Sequence, residues 1–390
     1  MNEQTASLLR ARGVELREPA SIEIAPEVAV EAIGPGAVLH AGSRIRGAET
    51  SIGPESEIGA EAPATLVDCQ LGRGVKLKGG YFEGAVFLDG AAMGSCAHVR
   101  AGTLLEERSG FAHACGIKQT VLLPFAEGGS VINFCDALLA GGTGPKDHSE
   151  IGSGFVHFNF TPLADKATAS MFGDVCHGVF LRNPKIFLGG QGGAAGPVRV
   201  AYGTVLAAGK MLRSDVLSPG HLVSPPPAPA GERAYTPGCR HVARKVAACL
   251  AYIGEIRALD TWYAFARAPL LGADRWGKAC LDGARGQLAA ILKERVKRLD
   301  EFAQKIAPVP ARDGQSAAEK DAFLAAWPAK KAALEAMRGQ PSEAGADDRE
   351  GFLAAWTALP GGYLERIASL DEASVARGIR WLSAVAATCR

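Results

Sequence analysis

The sequence lacks any long apolar run, and its charges nearly cancel. No stretch approaches the roughly 18 consecutive apolar residues of a membrane-spanning helix. The 42 Lys and Arg residues stand against 41 Asp and Glu residues, a formal net charge of +1. No global charge therefore draws the chain to nucleic acid or to an acidic membrane. The opening MNEQTASLLRARG has no apolar core of the kind a signal peptide needs. We expect a cytoplasmic protein without nucleic-acid or membrane partners.

Paired cysteines are also missing. The nine cysteines form no CxxC pair and no Cys/His cluster at zinc spacing. An odd count without a framework is typical of reduced thiols. His113 and His177, which lie near Cys115 and Cys176, are the residues that would suggest a metal. Nothing in the sequence brings these two pairs together, so no metal site is predicted.

Composition changes along the chain. Glycine is frequent up to about residue 220, and Ala, Leu, Arg, Lys and Glu dominate from about residue 240. The segment between them, 218–231, is rich in proline, which favours an extended linker. We therefore predict a β-rich domain over 1–217, a Pro-rich linker over 218–237 and an α-helical region over 238–390.

A six-residue repeat carries the fold prediction. Residues 33–50 divide into IGPGAV, LHAGSR and IRGAET, and similar hexapeptides follow at 52–63 and 71–82. An aliphatic residue opens each hexapeptide: Ile33, Leu39, Ile45, Ile52, Ile58, Leu71 and Leu77. Three short strands would close one coil, and stacked coils would align these residues into an inward ladder. The pattern predicts a left-handed parallel β-helix, a mainly β fold, followed by an all-α region.

An amphipathic helix and a collagen-like chain are the alternatives for this region. A helix needs apolar residues at i, i+3, i+4 and i+7 and few glycines, and collagen needs glycine at every third position. Neither pattern is present. The hexapeptides fade between about 83 and 150 and return in a looser form afterwards. Because long insertions in such folds are usually loops that carry function, we assign 103–150 to an inserted loop region.

The C-terminal region has helical spacing. Apolar residues recur at Val242, Val246, Cys249, Ile253 and Ile256, and a second run extends over 281–306. We expect these helices to cover a face or an open end of the β-helix, since exposed strand edges need protection. A role in dimerisation is the alternative.

The order of later motifs resembles a known family. In sequence come Gly116–Lys118, Val131–Asp136, Glu150–Phe160, Asp165–Thr168, Gly196–Val198 and Ala207–Gly209. Together with the coils at 14–60, they resemble the acetyltransferase half of the bifunctional UDP-N-acetylglucosamine pyrophosphorylase/glucosamine-1-phosphate N-acetyltransferase, a hexapeptide-repeat enzyme. The resemblance covers residues 14–215. Nothing in the chain resembles the Gly-rich nucleotide-binding loop of the pyrophosphorylase half.

The resemblance implies ligands and an assembly. Acetyl-CoA or another acyl-CoA would be the co-substrate, and a sugar phosphate or nucleotide sugar would be the acceptor. Enzymes of this type are usually homotrimers with sites between neighbouring β-helices. Lys118 and Lys166 match positions that contact the sugar phosphate, and Asn159 matches a second contact. The alternative for both lysines is an ordinary solvated side chain.

The family's catalytic base is changed in this chain. The histidine that takes a proton from the sugar amine aligns on Asn133, and an amide cannot act as a general base. His157 is the candidate replacement, because its segment also carries Asn159 and strand alternation places the two on one side. An ordinary corner or interface histidine is the alternative.

The Gly-rich segment 187–197 aligns with the family's acyl-CoA-binding coils. Small residues at Gly190 and Ala208 would let the pantetheine arm lie along the backbone. They are equally suited to tight corners between coils, and both interpretations stay open.

Two functional hypotheses follow. The first is an acyl-CoA-dependent acyltransferase that acts on an amino sugar phosphate or a nucleotide sugar. The second is a non-catalytic sugar-nucleotide-binding or regulatory protein that has lost the catalytic base. Asn133 favours the second hypothesis, whereas Asn159, Lys166 and the Ala-Ala-Gly coil favour the first.

Overall fold

The computed structural model describes residues 1–159, 166–227, 230–232, 234–235 and 237–390. Short strands dominate up to residue 223, and helices dominate from residue 242. The strands are β1 Glu15–Leu16, β2 Glu23–Ile24, β3 Val38–Leu39, β4 Arg44–Arg46, β5 Ser51–Ile52, β6 Glu57–Ile58, β7 Ala64–Val67, β8 Gln70–Leu71, β9 Lys76–Leu77, β10 Gly80–Glu83, β11 Ala85–Phe87, β12 Ala92–Met93, β13 Ala97–Val99, β14 Thr103–Leu105, β15 Gly110–Phe111, β16 Gly116–Leu122, β17 Glu127–Gly128, β18 Asn133–Leu139, β19 Gly142–Gly144, β20 Asp147–His148, β21 Glu150–Ile151, β22 Val156–Phe158, β23 Ser170–Phe172, β24 Phe187–Leu188, β25 Gly193–Ala195, β26 Arg199–Val200, β27 Val205–Leu206, β28 Met211–Leu212 and β29 Leu222–Val223.

The helices frame this strand region. Helix α1 precedes the strands, α2 interrupts them, and the others follow. They are α1 Glu3–Ala11, α2 Val175–Gly178, α3 Val242–Trp262, α4 Ala268–Leu271, α5 Arg275–Ile306, α6 Gly314–Ala336, α7 Ala346–Ala358, α8 Tyr363–Ser369 and α9 Glu372–Ala387. A π-helical turn, Tyr263–Arg267, joins α3 to α4. No helix in the described ranges is both long enough and apolar enough to cross a bilayer.

The strands form the three faces of a parallel β-helix. The first face is an eleven-stranded sheet with one strand per coil, from β1 to β29. The second face contains β2, β4, β7, β10 and β13, and the third contains β5, β8, β11 and β14. Strands β16 and β18 each span seven residues and join the second face to the third. The parallel β-helix and the helical C-terminal region predicted from the sequence are both confirmed.

The inward ladder is present as expected. All seven aliphatic residues that open the hexapeptides have 0% exposure and belong to one core cluster. Neighbouring coils place them in register, as with Leu39 opposite Ile58 and Ile58 opposite Leu77. Where glycine follows the aliphatic residue, as at Gly34, Gly53 and Gly72, the backbones of neighbouring coils are too close to admit a Cβ. A Cβ on Gly53 would lie 2.2 Å from the Gly72 carbonyl oxygen.

Residues 103–150, assigned from the sequence to an inserted loop, instead continue the coils. Strands β14 to β18 and β21 lie in the same sheets as their neighbours. Only the antiparallel pair β19 and β20, Gly142–His148, leaves the coil. The repeat is hard to see here because Phe111, Phe134 and Leu122 fill inward positions instead of a regular aliphatic residue followed by glycine.

The third face is covered by the helical region. Outward apolar side chains form a second ladder on that face, Val86–Leu104–Val121–Leu138–Met171, in register from coil to coil. These side chains share a buried cluster with residues of α3, α5 and α9. Helix α5 packs on β8, β11 and β14. A Cβ on Gly283 of α5 would lie 2.2 Å from Gln70 Oε1, which explains a glycine inside this helix.

Buried polar groups tie the helices to the β-helix. Arg267, 1% exposed, pairs with Glu107, and the Tyr263 hydroxyl donates to Glu106 Oε1 at 2.6 Å. Burial raises the pKa of Glu106 to about 7. Trp262, also fully buried, packs at tilted angles against Phe352, Trp356 and Trp381 of the later helices. These contacts make the two regions one packed body.

Candidate functional site

The second face carries a cluster of outward polar side chains. His98 pairs with Gly116, and Gly116 pairs with Asn133, so these three residues form one outward column along the coils. His98 and Asn133 are exposed. Nothing lies within 4 Å of a Cβ placed on Gly116, which leaves an open strip between the imidazole and the amide. At the usual strand spacing, His98 and Asn133 are about 10 Å apart.

Two cations stand in the next outward column. Val99 pairs with Ile117, so the residues that follow them, Arg100 and Lys118, are neighbours on adjacent coils. Arg100 is exposed and Lys118 half-buried. Lys118 pairs with Cys135 on the next coil, and the Cys135 thiol donates to Asn133 Oδ1 at 3.3 Å. Two adjacent cations beside an open strip form an arrangement that can hold a phosphate.

Sequence reasoning predicted Lys118 and Asn133 in this cluster but missed Arg100 and His98. Arg100 stands one coil before Lys118 in the same column, a relationship that follows from the pairing of Val99 with Ile117. His98 was hidden because its strand, β13, lies where the hexapeptides fade. Both residues required the register between coils, which the sequence alone does not provide.

Asn159 belongs to a different corner. Its Nδ2 donates to Asp136 Oδ2 at 2.5 Å, and Asp136 also pairs with Arg295 of α5. Asp136 and Arg295 are both largely buried. This corner therefore lies where the second and third faces meet the helical region. Arg295 is a third residue that sequence reasoning missed, because it is distant in the chain.

Lys166 lies near the same corner. Two residues later, Thr168 Oγ1 donates to the Asn159 carbonyl at 3.0 Å. Lys166 is half-buried and has a positive φ of 44°. Asp165, which opens its motif, lies outside the described residues. The structure thus groups Lys166 with Asn159, and groups Lys118 with Asn133.

His157 points into the β-helix. It occupies the inward column between Phe134 and Ala194 and is 2% exposed. Its ring lies 5.9 Å from the Phe134 ring. Nδ1 lies 2.6 Å from the Cys135 carbonyl oxygen, and Nε2 lies 2.7 Å from Ser170 Oγ. Burial lowers its pKa. Asn133 and Lys118 point outward, so the strand itself separates them from this imidazole.

Gly190 and Ala208 meet at one corner between the first and second faces. The Gly209 amide donates to the Gly190 carbonyl at 2.9 Å, so the two turns stack directly. A Cβ on the preceding Gly189 would lie 2.4 Å from the Ala208 nitrogen. These small residues are needed for the close stacking of the coils. The corner lies three coils beyond Lys118, about 14 Å along the axis at the usual strand spacing.

Titratable groups offer no metal centre in the described part of the chain, where no three His, Cys, Asp or Glu side chains converge. His113 hydrogen-bonds Ser130 at 2.9 Å, and His177 pairs with Asp174 at 2.8 Å. Cys176 is buried against Glu255, and burial raises the pKa of its thiol. The two histidine–cysteine pairs are thus held by separate partners.

Comparison with known proteins gives a consistent set of relatives. The chain is 29% identical over 209 residues to the bifunctional protein GlmU of Thermotoga petrophila, which covers 53% of this chain and 41% of that protein. It is 30% identical over 210 residues to GlmU of Nocardia farcinica, which covers 54% of this chain and 37% of that protein. The matched region spans only about two fifths of these relatives. No family model matches the chain.

The repeat, the parallel β-helix and these similarities define a hexapeptide-repeat protein. More particularly, the chain resembles the acetyltransferase half of the bifunctional protein GlmU, as its motifs predicted. The motifs that carry this resemblance lie in residues 14–215, and the helical region lies outside them.

Proposed function

We propose that the protein is an acyl-CoA-dependent acyltransferase that acts on an amino sugar phosphate or a nucleotide sugar. The observation that carries this proposal is the pair Arg100 and Lys118 beside the open strip at Gly116. Within the described residues, no carboxylate lies at ion-pair distance from either cation. A phosphate would therefore find two available positive charges, and charge-assisted hydrogen bonds would hold it.

The acyl donor would lie further along the same face. The corner formed by Gly190 and Ala208 has no large side chains of its own, and it is three coils from Lys118. An extended pantetheine arm would run along the second face from that corner toward the sugar. The resemblance to GlmU supports this placement. It also implies a homotrimer, whose contacts would use the first and second faces because helices occupy the third.

Acyl transfer to an amine needs a group that accepts the amine proton. His157 was the candidate from the sequence, but its imidazole is enclosed and both nitrogens are engaged. It would have to leave the core to reach a substrate. His98 is exposed on the same face as the cations and borders the open strip. We therefore propose His98 as the proton acceptor.

A non-catalytic sugar-nucleotide-binding protein is the second candidate. Asn133 stands in the outward column where the family resemblance places the catalytic histidine, and an amide cannot accept the proton. The inward position of His157 adds to this argument. In that case the cations on the second face would still bind a phosphorylated sugar, without turnover.

One experiment separates these candidates. The full chain is titrated with glucosamine 1-phosphate and with UDP-N-acetylglucosamine by calorimetry, and acetylated product from acetyl-CoA is measured by mass spectrometry. We expect Arg100→Gln and Lys118→Gln each to weaken binding by about tenfold or more, since a hydrogen bond to a charged group contributes about 1.5–3 kcal/mol. Arg377→Gln, an exposed arginine on α9 of the helical region, is the matched control.

Each outcome has a clear meaning. Binding with product formation supports the acyltransferase. Binding that depends on Arg100 and Lys118 without any acyl transfer supports the binding protein. Failure of both phosphorylated sugars to bind would overturn both candidates.

A further inference from the structure

A cavity within the helical region has no role in the proposed reaction. It lies between α3, α5 and α6 and has a volume of about 280 Å³. Its floor is apolar and includes Ile253, Leu292, Val296 and Leu334. This lining belongs to the helical core and is distinct from the second face of the β-helix.

The rim of this cavity is cationic. Arg257, Lys293 and Arg338 line it, and none of the three is within ion-pair distance of a carboxylate among the described residues. Asp300 also lines it, but its carboxylate is already occupied by Lys331 at 3.0 Å and by Trp327 Nε1 at 2.9 Å. Glu335 is exposed at the edge. The positive charges therefore exceed the negative ones.

Arg257 gives the strongest indication of a ligand. Its Nε and Nη1 atoms are buried, and no group in the described residues accepts a hydrogen bond from them. A guanidinium has five N–H donors in a fixed fork that fits a carboxylate. Buried donors of a charged group are costly when unpaired. The third nitrogen, Nη2, is not buried, and an anion in the cavity would bind the guanidinium there.

We propose that this cavity binds a medium-chain carboxylate. The carboxylate group would bind the Arg257 guanidinium, and the aliphatic tail would pack against the apolar floor. Lys293 and Arg338 would contribute a favourable field at the rim. The fit depends on both ends of the ligand, because a bare anion would leave the apolar floor empty and an aliphatic cation would meet like charges. This inference is independent of the acyltransferase proposal.

The test uses calorimetric titration of the full chain with octanoate, with acetate and octylamine as probes for head group and tail alone. We expect saturable binding of octanoate, binding of acetate weaker by about tenfold or more, and no binding of octylamine. Arg257→Gln should weaken octanoate binding by about tenfold or more. Arg377→Gln, an exposed arginine on α9 away from the cavity, should leave it unchanged.

Two further variants distinguish a specific loss of binding from a loss of folding. Met337→Trp fills the cavity from its half-buried wall and should abolish octanoate binding. Lys293→Gln changes only an exposed residue and should weaken binding without altering Tm. Absence of octanoate binding to the wild type would overturn the proposal. Binding that persists unchanged in both Arg257→Gln and Met337→Trp would also overturn it.

Discussion

His157 Nε2 lies 2.7 Å from Ser170 Oγ inside the β-helix, and this contact defines the histidine as part of the core. The Ser170 hydroxyl oxygen also accepts from the Val198 amide at 3.0 Å, so the histidine belongs to a buried network between neighbouring coils. Removing a large buried side chain leaves a cavity and unpaired polar groups. We therefore expect His157→Ala to lower the free energy of unfolding by about 3 kcal/mol, measured by urea denaturation.

The matched comparison is His98→Ala, because His98 is exposed on the same sheet. Its stability should change by about 1 kcal/mol at most, since the His98 ring stacks on Tyr81 with centroids 5.3 Å apart. If His98 accepts the amine proton, turnover should fall by about 10²–10⁴-fold in this variant alone. A large loss of turnover in His157→Ala with unchanged stability would contradict the assignment of His157 to the core.

The buried imidazole of His157 should also affect the stability of the protein at low pH. Burial lowers its pKa below the ordinary value of 6.5, so the folded protein holds the ring neutral. Below pH 6.5 the unfolded chain binds a proton that the folded chain resists, and the contribution to stability is lost as pH falls. We expect the decline of Tm between pH 7 and pH 5 to be smaller in His157→Asn than in the wild type. An identical decline would contradict this.

Glu106 should act in the opposite direction. Burial raises its pKa to about 7, so the folded chain keeps a proton that the unfolded chain releases near pH 4.5. Stability should therefore fall as pH rises from about 4.5 to 7, by roughly 1.4 kcal/mol per pH unit at most. Relative to the wild type, Glu106→Gln should be more stable at pH 8 than at pH 5. Denaturation at both pH values measures this difference.

The buried pair Glu107 and Arg267 provides a test of the contact between the two regions. Arg267→Met leaves Glu107 as an unpaired carboxylate in the interior, and we expect a loss of about 3–5 kcal/mol. The double variant Glu107→Gln/Arg267→Met removes the stranded charge and should recover part of that loss. Equal losses in the single and double variants would show that Glu107 is solvated when unpaired.

A charge introduced into either apolar ladder, the inward one or the outward one beneath the helices, should destabilise the protein. Ile52→Asp buries a carboxylate inside the coils, and Val121→Asp buries one beneath the helices. Each should cost several kcal/mol and lower Tm, measured by calorimetry. Arg377→Asp, at an exposed position of α9, should have little effect. A normal Tm for Val121→Asp would mean that the helices do not stay on the third face.

The helical region can also be removed as a whole. Without residues 232–390, the outward ladder from Val86 to Met171 would face solvent. A contiguous apolar strip of this kind promotes association. We expect a fragment of residues 1–231 to retain a β-type circular dichroism spectrum but to aggregate in light scattering. A monodisperse fragment of unchanged oligomeric size would contradict the covering role.

The sequence by itself determined the type of each region. A period of six with one aliphatic residue, as at Ile33, Leu39 and Ile45, suits short strands and tight corners, whereas the spacing in 242–256 suits a helix. Both signals are local, because each depends only on the geometry of successive residues. The family resemblance followed from the order of the motifs, which is also carried by the chain alone.

The tertiary structure decided which side chains share a surface. His157 was placed beside Asn159 by alternation, but the register between coils turns its ring into the core and leaves Asn159 on a corner with Asp136. Arg295 reaches that corner from a helix 159 residues later in the chain. The coils differ in length, so the number of residues between equivalent positions on one face varies along the chain. The helices pack on the third face because that face carries the outward apolar ladder. Neither effect leaves a periodic trace in the sequence, because both depend on contacts between segments that are distant along the chain.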